Sequence, residues 1–247
     1  MSALVFAIPS KGRLQEQALE LLARAGLAIA QDGGVRLYGA RIPNLPDAEV
    51  RLMASSEIVT ALRDGEIHAG VTGADVLSEA DPEYARVALI KPLGFGHADL
   101  IVAAPMSWLD CTTMADLEAV CADFHARHHR RLRVATKYIA LAHRFFDQHG
   151  LDDYRLIESA GATEGAPANG AAEVIVDITT TGQTLRDNFL RPLDDGLILR
   201  SEAHLAVSRG ADWDDAALAC FGKLVAALEG KDARNPAFDA FMKGVTA

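Results

Sequence analysis

The sequence lacks the features that mark membrane and secreted proteins. No apolar run among its 247 residues is long enough to span a bilayer, and no basic segment precedes the apolar residues 4–8. Cysteine is scarce: Cys111, Cys121 and Cys220 are odd in number and lack the spacing of metal ligands. These absences favour a globular protein of the reducing cytoplasm, with no membrane association.

Positive charge is also in deficit. Lys and Arg total 24 against 34 Asp and Glu, a net charge of −10, which disfavours binding to nucleic acid. The histidines of segment 125–131 suggest a metal site, but the arginines among them would repel a cation, so a solvated basic helix end is expected. A phosphate site in this chain must concentrate its few cations locally.

The most informative stretch of the sequence is residues 173–188, in which a strand, a turn and a helix are predicted in succession. Val174 to Ile178 is a short β-branched run, typical of a buried strand, and a turn of small hydroxyl residues follows it. From Gln183 the spacing predicts a helix. One side of that helix would carry Leu185, Phe189 and Leu190. A strand, a small-residue loop and a helix start form an anion site, because the first helical N–H groups are unpaired.

The loop itself is rich in hydroxyl groups. Thr179, Thr180, Thr181 and Thr184 supply donors around Gly182, where the backbone can approach a phosphate closely. Asp177, at the end of the strand, is placed to hold sugar hydroxyls. The alternative is an ordinary strand-to-helix turn, but four threonines exceed what a helix cap needs.

Similar strand ends recur along the chain. Leu4 to Ile8 leads into Lys11, Gly12 and Arg13, and then into a helical pattern closed by Gly26. Two cations at a helix start suit a polyphosphate, although a solvated basic turn is an equal alternative.

Four further segments carry candidate ligand contacts. Gly73 and Asp75 follow a strand ending at Thr72, and Lys137 and Tyr138 follow the strand 132–136. Each has a plain alternative, such as an acidic first helical turn. Two acidic positions, which surface charge would also explain, are Glu158 and Glu164.

Strands alternate with helices throughout, which predicts a parallel α/β fold with ligands at the carboxyl ends of the strands. The glycine-rich passage 91–96 suits a hinge between two lobes. Residues 197–207 are predicted as one long mixed strand. Helices are expected at about 212–228 and 236–243, and a capping box at Thr113 to Asp116.

Five of these motifs, taken in order, resemble the ATP phosphoribosyltransferases, which begin histidine biosynthesis. They are Pro9-Ser-Lys-Gly-Arg-Leu14, Gly70-x-Thr-Gly-x-Asp75, Leu93-Gly-Phe-Gly96, Arg133-Val-Ala-Thr-Lys-Tyr138 and Asp177-x-x-x-Thr-Gly-x-Thr-Leu185. Salvage phosphoribosyltransferases place two adjacent acidic residues before a similar loop, whereas Ile178 follows Asp177 here. Segments 54–58 and 97–99 depart from the pattern of the family.

The resemblance implies a fold of two α/β lobes of the periplasmic-binding-protein type II, with mainly parallel sheets and the active site in the cleft between them. Lobe I would comprise residues 1–98 with about 193–247. Lobe II, residues 99–192, would carry the threonine loop.

It also implies a reaction in which N1 of the adenine of ATP displaces pyrophosphate from phosphoribosyl diphosphate (PRPP), with Mg²⁺ required. No residue would act as a nucleophile; Lys11, Arg13 and Lys137 would stabilise charge on pyrophosphate or ATP, and residues 179–184 would hold the 5′-phosphate. The expected substrate-binding residues are Lys11, Gly12, Arg13, Gly73, Asp75, Lys137, Tyr138, Glu158, Glu164, Asp177, Thr179, Thr180, Thr181, Gly182, Gln183 and Thr184. No metal ligand is assigned.

Only 39 residues follow Ser208, which resembles the short form of the family. That form implies a hetero-oligomer with a regulatory subunit similar to histidyl-tRNA synthetase, with self-association also expected. Two alternatives stay open: a salvage phosphoribosyltransferase acting on a free base, and a two-lobed solute-binding protein without catalysis.

Overall fold

The computed structural model describes residues 4–31, 39–159, 161–229 and 235–245. The strands are β1 (Leu4–Pro9), β2 (Ala30–Gln31), β3 (Gly39–Arg41), β4 (Ala48–Met53), β5 (Ala69–Gly73), β6 (Val87–Pro92), β7 (Ala98–Pro105), β8 (Leu132–Thr136), β9 (Tyr154–Glu158), β10 (Val174–Thr179), β11 (Leu190–Ser201) and β12 (Ala203–Ser208). The helices are α1 (Gly12–Arg24), α2 (Ser55–Asp64), α3 (Ala74–Ala80), α4 (Met114–His128), α5 (Ile139–Gln148), α6 (Gln183–Asp187), α7 (Asp215–Glu229) and α8 (Pro236–Val245). None of the helices in these ranges is long and apolar enough to cross a membrane.

The chain divides into two compact units, Met1–Gly96 with Glu202–Ala247, and His97–Ser201. The sequence placed these boundaries after residue 98 and near 193. The observed second boundary is later because β11 pairs with β7 as far as Ser201.

The first unit is built on a seven-stranded sheet in the order β2-β3-β4-β1-β5-β12-β6. Its centre, β4-β1-β5, is parallel, and the outer strands are antiparallel to their neighbours. One face packs Phe6 and Ile8 against Leu22 of α1 and Phe221 of α7. The apolar spacing of α1 explains this packing, and the helix stops before Gly26, whose φ of +76° favours glycine.

The second unit has a five-stranded sheet in the order β11-β7-β10-β8-β9. Its two faces are packed by different elements, helices on one face and mainly loop segments on the other. The helix-covered face packs Leu100, Val134 and Val176 against α4 and α5. The loop-covered face carries a smaller cluster, consisting of Ile101, Ala103, Ala135, Ala166, Ala172, Ile175, Leu185 and Leu190 with Leu197 against it. In the described ranges, Leu185 of α6 and Ala166 and Ala172 of the segment after the 3-10 turn Thr163–Gly165 pack on that second face.

Two polar anchors fix the second unit. The predicted capping box is confirmed: the Asp116 carboxylate accepts the Thr113 N–H at 2.8 Å, and the Thr113 hydroxyl accepts the Asp116 N–H at 3.2 Å. Just before β10, the Glu173 carboxylate accepts the Arg133 N–H at 2.8 Å and pairs with the guanidinium groups of Arg133 and Arg130. Burial raises the pKa of Glu173, but these arginine bonds outweigh it and lower the pKa to about 2.

Three details differ from the sequence-based expectation. Both sheets are mixed rather than mainly parallel, because returning strands such as β7 and β12 insert antiparallel. The long strand predicted over 197–207 is two strands, β11 and β12, interrupted at Glu202. The helix after Gly182 ends at Asp187, so Phe189 is 77% exposed with φ +55°, and Leu190 begins β11.

Candidate functional site

Several of the predicted site residues of the second unit lie where the parallel strands β10 and β8 end. Val174 of β10 pairs with Val134 of β8, and Ile175 with Ala135, so Asp177 and Lys137 arrive at the same edge of the sheet. Glu164, on the 3-10 turn, is close enough to Asp177 to influence its pKa. The structure therefore brings together three of the predicted residues ahead of the threonine loop.

The threonine loop, residues 179–184, is shaped by its own hydroxyl groups. The Thr179 hydroxyl accepts the Gly182 N–H at 3.0 Å, and the Thr181 hydroxyl accepts the Gln183 N–H at 3.3 Å. Because each hydroxyl accepts here through oxygen, its proton remains available to donate to a ligand. Gly182 has a φ of +69°, the left-handed conformation in which glycine carries no penalty.

The helix that follows the loop is shorter than predicted. With only five residues, α6 has a weak macrodipole, although the sequence predicted a helix start that would favour an anion. Thr180, Thr181, Gln183 and Thr184 are exposed, so donors of the loop face solvent directly. The donors that this loop could offer to an anion are therefore local hydroxyl and N–H groups rather than a helix dipole.

Arg186 of α6 is a residue beside the threonine loop that the sequence analysis did not single out. Its guanidinium donates to the Thr181 carbonyl at 3.2 Å and to the Gln183 side-chain oxygen at 3.0 Å. This brings a positive charge against the loop and braces its backbone. The available signal was its position, three residues beyond Gln183 and thus on the same side of the helix.

Asp177 is partly buried on the loop-covered face. Burial raises the pKa of its carboxyl and Glu164 raises it further, while the Ile178 N–H, donating at 2.8 Å, and Lys137 lower it. The net direction is upward. Burial has removed water from this carboxylate and so disfavours its ionised form. Hydroxyl groups or a cation that replace that water would therefore bind to it strongly.

Lys137 and Tyr138 differ in exposure, although they are neighbours in the sequence. Lys137 is exposed, and its Nζ lies 4.8 Å from the centre of the Tyr138 ring. Tyr138 is 2% exposed and packs in the core of the helix-covered face, and the Thr136 hydroxyl accepts its N–H at 2.9 Å. The ring therefore packs in the core, because a large ring beside α5 gains most by burial, and the predicted substrate contact of Tyr138 stays a prediction.

Glu158 is not brought to Asp177 by the strand register. It ends β9 in register with Thr136, so its side chain shares the face of Thr136. Ala135 and Ile175 lie on the loop-covered face, and alternation puts Asp177 there too. Glu158 is therefore on the opposite face from Asp177.

Metal ligands are sparse in the parts of the chain that the structure describes. There, no group of three or more His, Cys, Asp or Glu side chains is placed to hold an ion. The neighbouring carboxylates Asp177 and Glu164 suit Mg²⁺, which is commonly bound by one or two carboxylates together with the phosphates of a substrate.

The first unit has its own candidate edge, at the ends of β1 and β5. Lys11, Gly12 and Arg13 are exposed at the start of α1, a helix of 13 residues. Gly73 ends β5 and precedes α3, whereas Asp75 is only 7% exposed within the first turn of α3. The two cations are thus presented to solvent while Asp75 lies inside.

The sequence matches the model of a known protein family. The model of the family described as "HisG: ATP phosphoribosyltransferase" matches residues 54–230. The chain belongs to the ATP phosphoribosyltransferase family. Its relatives include the ATP phosphoribosyltransferase of Nitrobacter winogradskyi, which is 56% identical over 217 residues, 87% of this chain and 67% of that protein. The Rhodopseudomonas palustris (strain BisA53) enzyme is 57% identical over 213 residues, 86% of this chain and 66% of that protein.

The match therefore spans about two thirds of the length of these ATP phosphoribosyltransferases. Among solved structures, the Thermotoga maritima "ATP phosphoribosyl transferase (HisG:HisZ) complex" shares the fold with a TM-score of 0.66 and 24% identity, covering 92% of this chain and 98% of that one. The alkanesulfonate-binding protein SsuA of Xanthomonas axonopodis pv. citri also shares the fold, with a TM-score of 0.53 and 15% identity, covering 100% of this chain and 78% of that one. The expected family and its α/β fold of periplasmic-binding-protein type are confirmed.

Proposed function

We propose that this chain transfers the phosphoribosyl group of PRPP to N1 of the adenine of ATP, releasing pyrophosphate and forming phosphoribosyl-ATP, the first step of histidine biosynthesis. Membership of the ATP phosphoribosyltransferase family supports this proposal. The structural observation that carries it is the joint placement of the threonine loop, Asp177 and Lys137 at one edge of the second sheet. A sugar bearing phosphates needs those three kinds of group.

In this proposal, the threonine loop holds the 5′-phosphate of PRPP. The hydroxyls of Thr179 and Thr181 donate to its oxygens, because their own acceptor roles inside the loop are already filled. The exposed Thr180 and Thr184 add donors around it. Asp177 accepts hydrogen bonds from the ribose hydroxyls, and Lys137 compensates negative charge beside it.

In the same proposal, Lys11 and Arg13 of the first unit bind the phosphate groups of ATP or the leaving pyrophosphate. Both side chains are exposed at the start of α1, whose length gives it the full N-terminal dipole that α6 lacks. Gly12, with a φ of +78°, lets the backbone turn into the helix between them.

The chemistry needs positioning and charge neutralisation more than a protein nucleophile. Departure of pyrophosphate leaves positive charge on the sugar, which the Asp177 carboxylate would stabilise if it holds the ribose as proposed. Adenine N1 is unprotonated near neutral pH, so no strong base is needed to activate it. Mg²⁺, when bound to the diphosphate, supplies further charge neutralisation, and Asp177 with Glu164 are the residues suited to hold it.

The assembly is part of the proposal. The Thermotoga chain of similar fold comes from a HisG:HisZ complex, and we propose a comparable hetero-oligomer with a regulatory subunit similar to histidyl-tRNA synthetase. Self-association of the catalytic chain is expected as well. The three free, buried cysteines suit the reducing cytoplasm, where both substrates are made.

One assay tests the reaction. Protein, ATP, PRPP and Mg²⁺ are mixed, with and without a regulatory subunit, and the ultraviolet absorbance of N1-substituted adenine is followed. We expect product only with all three small molecules present, and loss of product with a chelator. Product formed from free adenine instead of ATP would favour a salvage enzyme, and binding of both substrates without turnover in either assembly would contradict the proposal.

A histidine titration tests the assembly. If regulation resides in the partner subunit, the purified chain alone is little inhibited by histidine and shows no tight histidine binding by calorimetry. Submicromolar histidine binding by this chain alone would contradict the proposed division of roles.

A further inference from the structure

A row of three side chains crosses the second sheet at the edge that carries the threonine loop. Thr179 of β10 is in register with Asp99 of β7, and Asp99 is in register with Arg200 of β11. Residues directly opposite each other on neighbouring strands point to the same face of a sheet. Thr179, Asp99 and Arg200 therefore share one face, and strand spacing separates the outer two by about 10 Å.

A β-bulge is what turns Arg200 to that face. Leu197 pairs with Ile101, and both pack on the loop-covered face. Two residues later, Leu199 pairs with Leu100, and both pack on the helix-covered face. In a regular strand Leu197 and Leu199 would share a face, so one extra residue has been inserted between them.

The bulge has a direct consequence for charge. If the strand continued in regular register from Leu197, alternation would put Arg200 on the helix-covered face, away from Asp177 and the loop. With the bulge, Arg200 lies on the face of Asp99, Thr179 and Asp177. Bulges next to functional sites commonly re-aim one side chain in this way.

The electrostatics at this edge favour a bound anion at Arg200. Arg200 is exposed, and in the described ranges no ion pair joins it to Asp99 despite their register. Asp177 lies between Lys137 on the β8 side and the Arg200 row on the β11 side, so an acidic centre is flanked by one cation on each side. A substrate with sugar hydroxyls in the middle and phosphates at its ends has that charge pattern.

We propose that Arg200 is a substrate-binding residue, whose guanidinium binds a phosphate group of the substrate seated on the threonine loop. The proposal rests on the proposed function for the identity of that substrate. It does not rest on it for the anion site itself. PRPP and ATP both carry suitable groups, and the test separates them.

The test measures dissociation constants for PRPP, ATP and inorganic pyrophosphate by calorimetry, on the full chain and three variants. Arg200→Gln keeps size and polarity but removes charge, and Arg200→Lys restores charge without the bidentate fork. Arg155→Gln is the matched control, because Arg155 is an exposed arginine of the same sheet, near the opposite end of the edge strand β9.

We expect Arg200→Gln to weaken binding about tenfold or more, as loss of a charge-assisted contact does, with Arg200→Lys intermediate and Arg155→Gln within twofold of the wild type. Loss confined to PRPP, or confined to ATP, identifies the substrate. Unchanged affinity of Arg200→Gln for all three ligands would overturn the proposal. Equal loss in both Arg200 variants together with a lowered melting temperature would overturn it too, because that pattern indicates a structural role.

The pyrophosphate arm separates this proposal from the proposed function. If the wild-type chain forms no phosphoribosyl-ATP but binds pyrophosphate in a manner that depends on Arg200, the anion site stands and the reaction falls. If the chain is active and Arg200→Gln binds every ligand normally, the reaction stands and the role of Arg200 falls.

Discussion

The loop after β1 in the first unit and the loop after β10 in the second follow the same plan of strand, turn and helix, but they differ in chemistry. The first presents two exposed cations, Lys11 and Arg13, at the start of a helix of 13 residues. The second presents hydroxyls, closed on themselves by hydrogen bonds from Thr179 and Thr181, before a helix of five residues. If both loops bind phosphate as we propose, the first would do so through a long-range field and the second through a set of short-range donors.

The largest expected effect comes from Asp177, which lies in β10 just ahead of the second loop. Asp177→Asn should lower kcat/KM for PRPP by about 100-fold, since the charge-assisted bonds to ribose and the metal contact are lost together. The KM for ATP should change far less. Steady-state kinetics with each substrate varied in turn checks this, and an equal loss for both substrates would contradict the assignment.

The same variant should be more stable than the wild type at neutral pH. Burial raises the pKa of Asp177, so its ionised form disfavours the folded state above that pKa, and asparagine removes the penalty. As the pH falls through the raised pKa, the wild-type carboxyl becomes protonated and the advantage of the variant disappears. Thermal melts across pH check the sign, and a variant less stable at neutral pH would contradict it. The KM of the wild type for PRPP should rise over the same acidic range.

Paired variants test whether the two loops serve different substrates. Thr181→Val should raise the KM for PRPP about tenfold with little effect on ATP, because it removes one hydroxyl donor and the Gln183 bond. Lys11→Met with Arg13→Met should raise the KM for ATP by a similar factor or more. Kinetics on both variants decide the matter, and the comparison fails if each variant affects both substrates equally.

Salt should separate the loops more mildly. Exposed charges are screened within about 8 Å at physiological ionic strength, whereas hydrogen bonds between neutral donors and phosphate are less affected. Raising the salt concentration should therefore shrink the effect of the Lys11→Met, Arg13→Met variant on the KM for ATP, and leave the effect of Thr181→Val on the KM for PRPP nearly unchanged. A larger response of the Thr181→Val effect would contradict this contrast.

The smallest effects are expected at the two loop glycines. Gly12→Ala and Gly182→Ala each force a side chain into the left-handed region, at about 1 kcal/mol of unfolding free energy. An added Cβ meets nothing within 4 Å at Gly12, but at Gly182 it lies 3.1 Å from Nη1 of Arg186, a flexible group that can yield. Urea unfolding should give similar losses, and only Gly182→Ala should weaken PRPP binding. A loss far above 1 kcal/mol at either position would show that the loop is more tightly packed than described.

Much of this architecture could be predicted because local patterns decide it. Short runs rich in apolar residues predicted β1, β8 and β10 to within one residue, and Gly26 marked the end of α1. The threonine loop was predicted from the local order of strand, small hydroxyl residues and helix start. These features depend on residues close together in the sequence, where propensity and tertiary structure agree.

What could not be predicted depends on register between distant strands. Glu158 matches an acidic position by type, yet pairing with Thr136 turns it to the opposite face from Asp177. The face of Arg200 depends on the bulge at Ile198, which the sequence around it does not announce. The burial of the Tyr138 ring and the exposure of Phe189 have a related cause, since only the folded sheet decides which large ring is buried and which is exposed.

The hydrogen bonds inside the threonine loop also bear on how quickly and how selectively it can work. Because Thr179 and Thr181 already tie down the backbone of Gly182 and Gln183, capture of a ligand forfeits little conformational freedom. In a preorganised loop, less of the binding free energy is lost to ordering the loop, and more is available to discriminate among phosphorylated sugars. Serine at either position would keep this rigidity, whereas valine would abolish both the brace and the donor in one step.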